Sequence, residues 1–206
     1  AGLAAAFSTD GRRFVSQYAV GKSGRKIVER SAGTGQVVRE YEPSLREFAS
    51  AMDWSPDGKA ILLTDERWGR CDIKSVNLLA NVLARQKVKR DRVFEAILVH
   101  AGLVTEGAIS NVMIVQGGTV VTAPEGARIL SGVTRGIVLD LARHMGFPVQ
   151  ERFASQAELY EAGEVFLTGT TVEVLAVVRV DGKVIGDGRP GPITQRLAAS
   201  FTSLVG

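Results

Sequence analysis

The stretch Cys71-Asp72-Ile73-Lys74-Ser75-Val76-Asn77-Leu78-Leu79 decides the fold class. Its first half predicts a short strand that ends at Lys74, and Ser75 is a suitable N-cap for a helix over residues 75–86. Apolar residues recur at the spacing of one helical face: Val76, Leu79, Val82 and Leu83. The pattern therefore places one lysine at the junction of a strand and a helix, in an apolar setting.

Downstream, the segment Val104-Thr105-Glu106-Gly107 places a carboxylate, that of Glu106, in an apolar stretch as well. A lysine and an acid are the side chains that pyridoxal phosphate requires, because the amine holds its aldehyde as a Schiff base and the acid faces its pyridine nitrogen. By itself, Lys74 also fits a surface lysine whose apolar stem lies along the protein while its amine reaches solvent. By itself, the Thr105-Glu106-Gly107 segment also fits an ordinary turn. The pair is a candidate for this chemistry, with Lys74 as tether and then as acid–base group.

Two further segments offer donors to an anionic group. Gly132-Val133-Thr134 precedes a helix predicted over residues 135–145, where backbone N–H groups without helical partners attract anions. Thr168-Gly169-Thr170-Thr171 supplies small and hydroxylated residues at a strand end. Taken singly, each has a plainer explanation, a helix cap for the first and the β-propensity of threonine for the second.

The remainder of the chain after residue 65 mixes strands and helices, which predicts an α+β (α/β) fold. Gly117-Gly118 and Asp181-Gly182 each predict a hairpin turn, and Pro192 opens a final helix. The other predicted strands cover residues 94–100, 103–107, 111–116, 119–123, 174–180 and 183–185, and the last helix covers residues 192–204.

Residues 1–64 follow a different pattern and are predicted to form a separate β-rich, antiparallel segment, ahead of a second domain at 65–206. Phe7-Ser8-Thr9-Asp10-Gly11 recurs as Trp54-Ser55-Pro56-Asp57-Gly58, and Asp-Gly turns close tight hairpins. This repeat resembles a blade of a WD-repeat or related β-propeller. The alternative is two hairpins at similar spacing by chance. Strands are predicted over residues 13–18, 26–30, 36–41 and 60–64.

The composition excludes several classes of protein. The 206 residues are 45% hydrophobic, as in a globular protein, and the net charge of +3 is dispersed, so no nucleic-acid partner is expected. No apolar stretch reaches membrane-spanning length, and the single cysteine, Cys71, cannot form an internal disulfide. A cytoplasmic protein with no membrane partner and no metal site is the resulting expectation.

Together, the motifs at residues 72–79, 104–112, 132–135 and 164–171 resemble the class IV (fold type IV) aminotransferases, most closely the D-alanine (D-amino acid) aminotransferases. The likeness runs from about Arg67 to the C-terminus and implies the C-terminal, cofactor-lysine domain of that family. It further implies pyridoxal 5'-phosphate as cofactor, a homodimer, and transamination between a D-amino acid and a 2-oxo acid.

The resemblance also implies individual roles. Lys74 matches the Schiff-base lysine, Glu106 the partner of the pyridine nitrogen, and Leu130 the apolar contact beneath the ring. The implied phosphate-binding residues are Val133, Thr134, Gly169 and Thr170, with Arg67 as a more distant basic residue near the phosphate. Gly169 departs from the serine of some members, so only its backbone donor carries over.

Three alternatives remain at this point. Branched-chain aminotransferases and aminodeoxychorismate lyases belong to the same class, although the sequence Asp72-Ile73-Lys74-Ser75 favours the D-amino acid aminotransferases. The family's N-terminal domain is not recognisable in residues 1–64, which implies impaired activity. A non-catalytic binding or interaction module with a degenerate aminotransferase domain is therefore the third alternative.

Overall fold

The computed structural model describes residues 3–7, 13–20, 24–31, 34, 36–41 and 58–205. The chain divides into two compact units, residues 1–54 and 55–206. In the first unit, four strands form an antiparallel sheet in the order β1-β2-β3-β4. Their bounds are β1 Leu3–Phe7, β2 Arg13–Val20, β3 Gly24–Ser31 and β4 Val37–Tyr41.

The first sheet confirms the predicted strands at residues 13–18, 26–30 and 36–41. The predicted turns at residues 8–11 and 54–57 lie outside the described residues. An antiparallel sheet of sequential strands agrees both with a propeller blade and with two unrelated hairpins. The likeness to a propeller blade therefore stays a prediction.

The second unit contains a six-stranded sheet in the order β11-β7-β6-β5-β14-β15. Its strands are β5 Lys59–Thr64, β6 Glu95–His100, β7 Leu103–Gly107, β11 Ala154–Ser155, β14 Arg179–Val180 and β15 Lys183–Val184. The predicted strand at 60–64 is confirmed, but as β5 it pairs in parallel with β6 and β14. The unit boundary consequently falls after Trp54 and not at residue 64, because the partners of β5 lie far along the chain.

A five-stranded sheet in the order β10-β9-β8-β12-β13 completes the strands of this unit. Its strands are β8 Asn111–Gln116, β9 Thr119–Thr122, β10 Val149–Glu151, β12 Glu164–Gly169 and β13 Glu173–Val177. The predicted Gly117-Gly118 turn is confirmed, with φ of 54° and 82°. The strand predicted over 174–180 divides in two, because Val178 N donates to Gly58 O (2.8 Å) and the chain passes into the other sheet.

Four helices pack against these sheets in the described part of the chain: α1 Leu79–Arg90, α2 Val133–His144, α3 Gln156–Glu161 and α4 Pro192–Val205. Helices α2 and α4 share a core with the five-stranded sheet, formed around Val138, Phe166 and Leu197. No helix in the described residues is long and apolar enough to cross a membrane. The fold is therefore a mixed α/β arrangement, as the sequence predicts.

Helix α1 differs from its prediction in start and in orientation. It begins at Leu79, after Leu78 and without a side-chain cap, so Ser75 is not the N-cap. Its buried residues are Ala84 and Val88, which pack on the six-stranded sheet. The apolar residues predicted to share one helical face are exposed, from 49% at Val82 and Leu83 to 98% at Val76.

The turn from β7 to β8 joins the two sheets and fixes the position of the site. Glu95 of β6 is fully buried behind this turn, and its carboxylate accepts hydrogen bonds from Ser110 Oγ (3.0 Å) and Ala96 N (2.9 Å). A Cβ at Gly107 would lie 2.1 Å from Ser110 Oγ, so only glycine fits there. The turn therefore places Glu106 at the end of one sheet beside Asn111 at the start of the other.

Candidate active site

One cavity of about 300 Å³ brings the predicted site residues together. Its walls come from the loop before α1, the β7–β8 turn, the N-terminus of α2 and the end of β12. All eight predicted residues line it: Arg67, Lys74, Glu106, Leu130, Val133, Thr134, Gly169 and Thr170. The sequence motifs therefore converge on one place, although they are spread over a hundred residues.

Glu106 is held in one orientation by three donors. Its residue is only 5% exposed, and Oε2 accepts hydrogen bonds from Asn111 Nδ2 (2.9 Å) and from Leu130 N (3.0 Å). Arg67 Nη1 donates to Oε1. Since each donor comes from a different segment, the carboxylate is fixed relative to the cavity before any ligand binds.

Arg67 links Glu106 to a second buried acid. Its Nε and Nη2 donate to the two carboxylate oxygens of Asp65 at 2.8 and 2.7 Å, a bidentate pair, and Nη2 also donates to Arg128 O (3.0 Å). The sequence places Arg67 near the phosphate. The structure places its guanidinium on Asp65 and Glu106, so Arg67 supports the Glu106 carboxylate, and its predicted place near the phosphate stays a prediction.

These contacts set the charges of the three groups. Burial raises the pKa of Glu106 to about 7, against the opposing effects of Arg67 and of the Leu130 N–H. Burial also acts to raise the pKa of Asp65, but the Arg67 guanidinium outweighs it and the pKa lies below its usual range. Arg67, held between two acids, has a raised pKa despite its burial. Glu106 can therefore exchange a proton near neutral pH while its two neighbours stay charged.

The N-terminus of α2 opens onto the same cavity. The helix begins at Val133, two residues earlier than predicted, with Gly132 as its N-cap and no side chain capping it in the described structure. A Cβ at Gly132 would lie 2.2 Å from Asn111 Oδ1, which requires glycine at this position. Val133 is exposed and Thr134 is buried. The first N–H groups of the helix therefore form an anion-binding end with the Thr134 hydroxyl beside it.

The end of β12 supplies the opposite wall. Gly169 is the last residue of this strand, and a Cβ there would contact Val172 Cγ2 at 3.3 Å. Thr168 and Thr170 flank it and also line the cavity. Small and hydroxylated residues thus meet the α2 N-terminus across one space, as the sequence predicts for the two halves of a phosphate site.

Lys74 lines the cavity from a loop and not from a strand end. Strand β5 stops at Thr64, and the segment before α1 folds into turns, with Ile73 N donating to Arg70 O (3.1 Å) and Cys71 N to Ala127 O (2.8 Å). Lys74 is exposed, which corrects the expectation of a desolvated strand end. It nevertheless faces the same cavity as Glu106.

Sequence reasoning gave no individual role to three residues at this site, namely Asp65, Asn111 and Thr168, although Asn111 and Thr168 stand within the quoted motifs. Asn111 stands five residues after Glu106, and a polar side chain at the start of a buried strand is the signal that could have found it. Asp65 is two residues before Arg67, a spacing that suits a local ion pair. Nothing in the sequence separates the hydroxyl of Thr168 from those of its neighbours.

Comparison with known proteins places this site in a family. The model of the family described as amino-transferase class IV matches residues 18–180. The chain belongs to the class IV aminotransferases. The match begins within residues 1–64, the segment whose pattern resembles a propeller blade.

Individual class IV aminotransferases are similar over most of this chain. The D-alanine aminotransferase of Bacillus licheniformis is 44% identical over 146 residues, which cover 71% of this chain and 52% of that protein. The D-alanine aminotransferase of Listeria innocua is also 44% identical, over 163 residues that cover 79% of this chain and 54% of that protein. The chain thus spans about half the length of these curated relatives.

Solved structures of class IV aminotransferases share the fold. The branched-chain amino acid aminotransferase of Escherichia coli has a TM-score of 0.67 at 26% identity, over 93% of this chain and 66% of that chain. The branched-chain aminotransferase of the archaeon Thermoproteus uzoniensis, solved with norvaline, has a TM-score of 0.68 at 25% identity, over 94% of this chain and 64% of that chain.

Proposed function

We propose that this chain binds pyridoxal 5'-phosphate and takes part in transamination between a D-amino acid, such as D-alanine, and a 2-oxo acid. The observation that carries the proposal is that one cavity is shared by Lys74, Glu106 and the two segments predicted to bind a phosphate, the N-terminus of α2 and the end of β12. The similarity to D-alanine aminotransferases at 44% identity supports the choice of D-amino acids.

The residues present fit this cofactor. Bound in the cavity, it supplies an aldehyde that condenses with amines and a ring that takes up electrons when an α-proton leaves. The α2 N-terminus, Thr134 and Thr170 would bind the phosphate, and Leu130 would give the ring an apolar contact. The orphaned buried hydroxyl of Thr168 shows that the cavity wall has donor capacity that the protein itself does not use.

Two side chains do the chemical work. Lys74 Nζ would hold the cofactor and, once free, would carry the proton from the substrate α-carbon to the carbon of the cofactor's aldehyde group. Glu106 would face the pyridine nitrogen, and its carboxylate is held in place by hydrogen bonds from Asn111, Leu130 and Arg67. A carboxylate that can protonate near neutral pH suits this position, because it can become an anion when a cation binds.

A spectroscopic and enzymatic experiment tests the proposal. We expect added pyridoxal phosphate to give a visible absorbance band with the purified chain, and borohydride to fix the cofactor to the peptide that contains Lys74. With 2-oxoglutarate as acceptor, we expect D-alanine to be used in preference to L-leucine. A preference for L-leucine would assign the branched-chain activity instead, and a chain that binds no cofactor but joins a hetero-complex would support the interaction module.

We further propose that two copies of the chain form a homodimer through α1 and the segment before it. The supporting observation is a run of exposed apolar side chains, made of Val76, Leu78, Leu79, Val82 and Leu83. Burying such a face on association removes apolar surface from water, which is favourable. We also propose a cytoplasmic location, supported by the free thiol of Cys71.

The homodimer predicts a specific effect of charge on α1. Leu79→Glu combined with Val82→Glu should convert a species of twice the chain mass into the single chain, as measured by light scattering after size-exclusion chromatography. Both side chains are exposed, so the fold should persist by circular dichroism. Gln86→Glu, at an exposed position of the same helix, is the control and should leave the mass unchanged. A wild-type chain that runs as a monomer at all concentrations would contradict the proposal.

A further inference from the structure

The hydroxyl of Thr168 is buried without a hydrogen-bond partner. Within the described residues, only two buried side-chain nitrogen or oxygen atoms lack a partner, Arg135 Nε and Thr168 Oγ1. Other buried threonines are satisfied, since Thr122 Oγ1 donates to Val112 O (2.7 Å) and Thr194 Oγ1 to Glu164 Oε2 (2.6 Å). An unpaired hydroxyl costs stability that an isosteric valine would avoid, so its presence calls for an explanation.

The position of Thr168 supplies that explanation. It is the penultimate residue of β12, it lines the cavity, and it is directly followed by Gly169 and Thr170. On the neighbouring strand it pairs with Asn111, whose amide holds Glu106. Among the described residues, the one buried hydroxyl without a partner therefore lies at the wall where the proposed phosphate site is formed.

We propose that Thr168 is a further anion-binding residue, whose hydroxyl donates a hydrogen bond to the phosphate of the bound cofactor beside Thr134 and Thr170. This inference rests on the proposed function. Thr168 has no exposed surface in the present rotamer, so the hydroxyl reaches the cavity by rotation about the Cα–Cβ bond. Because the hydroxyl has no partner to lose, the rotation breaks no hydrogen bond.

The proposal predicts opposite effects on stability and on binding. In Thr168→Val the cofactor-free protein should melt at the same temperature as the wild type or higher, because an unsatisfied polar group is replaced by a methyl group of similar shape. Its affinity for pyridoxal phosphate should fall by about 10- to 100-fold, as expected for one lost hydrogen bond to a charged group. Its affinity for pyridoxal, which lacks the phosphate, should not change, and Thr168→Ser should restore wild-type affinity.

Thr122→Val is the matched control, since it removes a buried hydroxyl that is satisfied. It should lower the melting temperature and leave the ratio of pyridoxal phosphate to pyridoxal affinity unchanged. Equal affinity of wild type and Thr168→Val for pyridoxal phosphate, or an equal loss for both ligands, would overturn the role of Thr168.

A second arm separates this inference from the proposed function. Inorganic phosphate should raise the melting temperature of the wild type and raise that of Thr168→Val less. If the wild type binds no pyridoxal phosphate at Lys74, the proposed function fails, and the phosphate arm then decides the role of Thr168 in anion binding on its own. Equal stabilisation of both proteins by phosphate counts against Thr168, and weaker stabilisation of the variant counts for it.

Discussion

Lys74→Ala should abolish cofactor attachment and lower the transamination rate by at least about a thousandfold, because the proposed function makes this one side chain both the tether and the acid–base group. The structure supports this expectation by placing Lys74 on the same cavity as Glu106 and the α2 N-terminus. The measurement is the mass of the Lys74 peptide after borohydride reduction, together with kcat/KM for D-alanine relative to the wild-type chain.

A matched lysine separates this effect from a change of charge. Lys89 is exposed on α1 and does not line the cavity, so Lys89→Ala should keep both the adduct and the rate. Lys74→Arg keeps the charge but cannot form the link, and we expect it to resemble Lys74→Ala. If Lys74→Ala still carried the reduced cofactor at wild-type yield, Lys74 would not be the attachment site.

Residues of the site were predictable where the chemistry depends on residue type and on local sequence. Lys74, Glu106 and Thr134 belong to short motifs, and the strand that carries Glu106 and the helix that begins beside Thr134 both have clear sequence signals. The order of four motifs along the chain indicated the family, and the family match over residues 18–180 confirms it. Their convergence on one cavity follows from the meeting of two sheets at the β7–β8 turn.

Other features depended on partners far away in sequence. Strand β5 looked like part of the first antiparallel segment, but its partners β6 and β14 come much later in the chain. The apolar spacing at Leu79, Val82 and Leu83 is helical on α1, yet it does not say which face a sheet will cover. The sheet covers the face that carries Ala84 and Val88, and its strands come from distant parts of the sequence.

Arg67 illustrates the same limit at the level of charge. A basic residue close to a phosphate-type motif suggests an anion ligand, but its guanidinium is already engaged by Asp65 and Glu106. The Thr168 hydroxyl is a further case, since only the packed structure reveals that it lacks a partner. Pairing of buried polar groups is a property of the tertiary structure, and sequence patterns report it weakly.

Arg67→Met should destabilise the protein by about 3–5 kcal/mol, because it leaves the buried carboxylates of Asp65 and Glu106 without their cation. Methionine keeps much of the apolar volume, so lost packing contributes little. The measurement is the free energy of unfolding by urea. Arg143→Met is the control, since Arg143 is half-exposed and its ion pairs with Asp140 and Glu151 lie at the surface.

The pH dependence identifies which acid responds. Glu106 has a folded-state pKa of about 7 against an ordinary value of 4.5, so its contribution to stability is complete below pH 4.5 and is lost as the pH rises through 7. The free energy of unfolding should therefore fall between pH 5 and pH 8 in the wild type and fall less in Glu106→Gln. Asp65 contributes no slope there, because its lowered pKa moves its transition to acid pH. Glu95, another buried acid with a raised pKa, is present in both proteins and cancels in the difference.

The same titration shows whether Arg67 acts through Glu106. Removing the guanidinium removes the attraction that holds the Glu106 pKa down, so in Arg67→Met the fall in stability should begin at the same pH but continue to higher pH than in the wild type. In Arg67→Met combined with Glu106→Gln, this extended fall should disappear, because the responding carboxyl is gone. A merely structural loss at Arg67 would lower stability equally at every pH. Parallel pH profiles for Arg67→Met and the wild type would therefore show that the two charges are not coupled, and Arg67 would have no part in setting the state of the cofactor-facing acid.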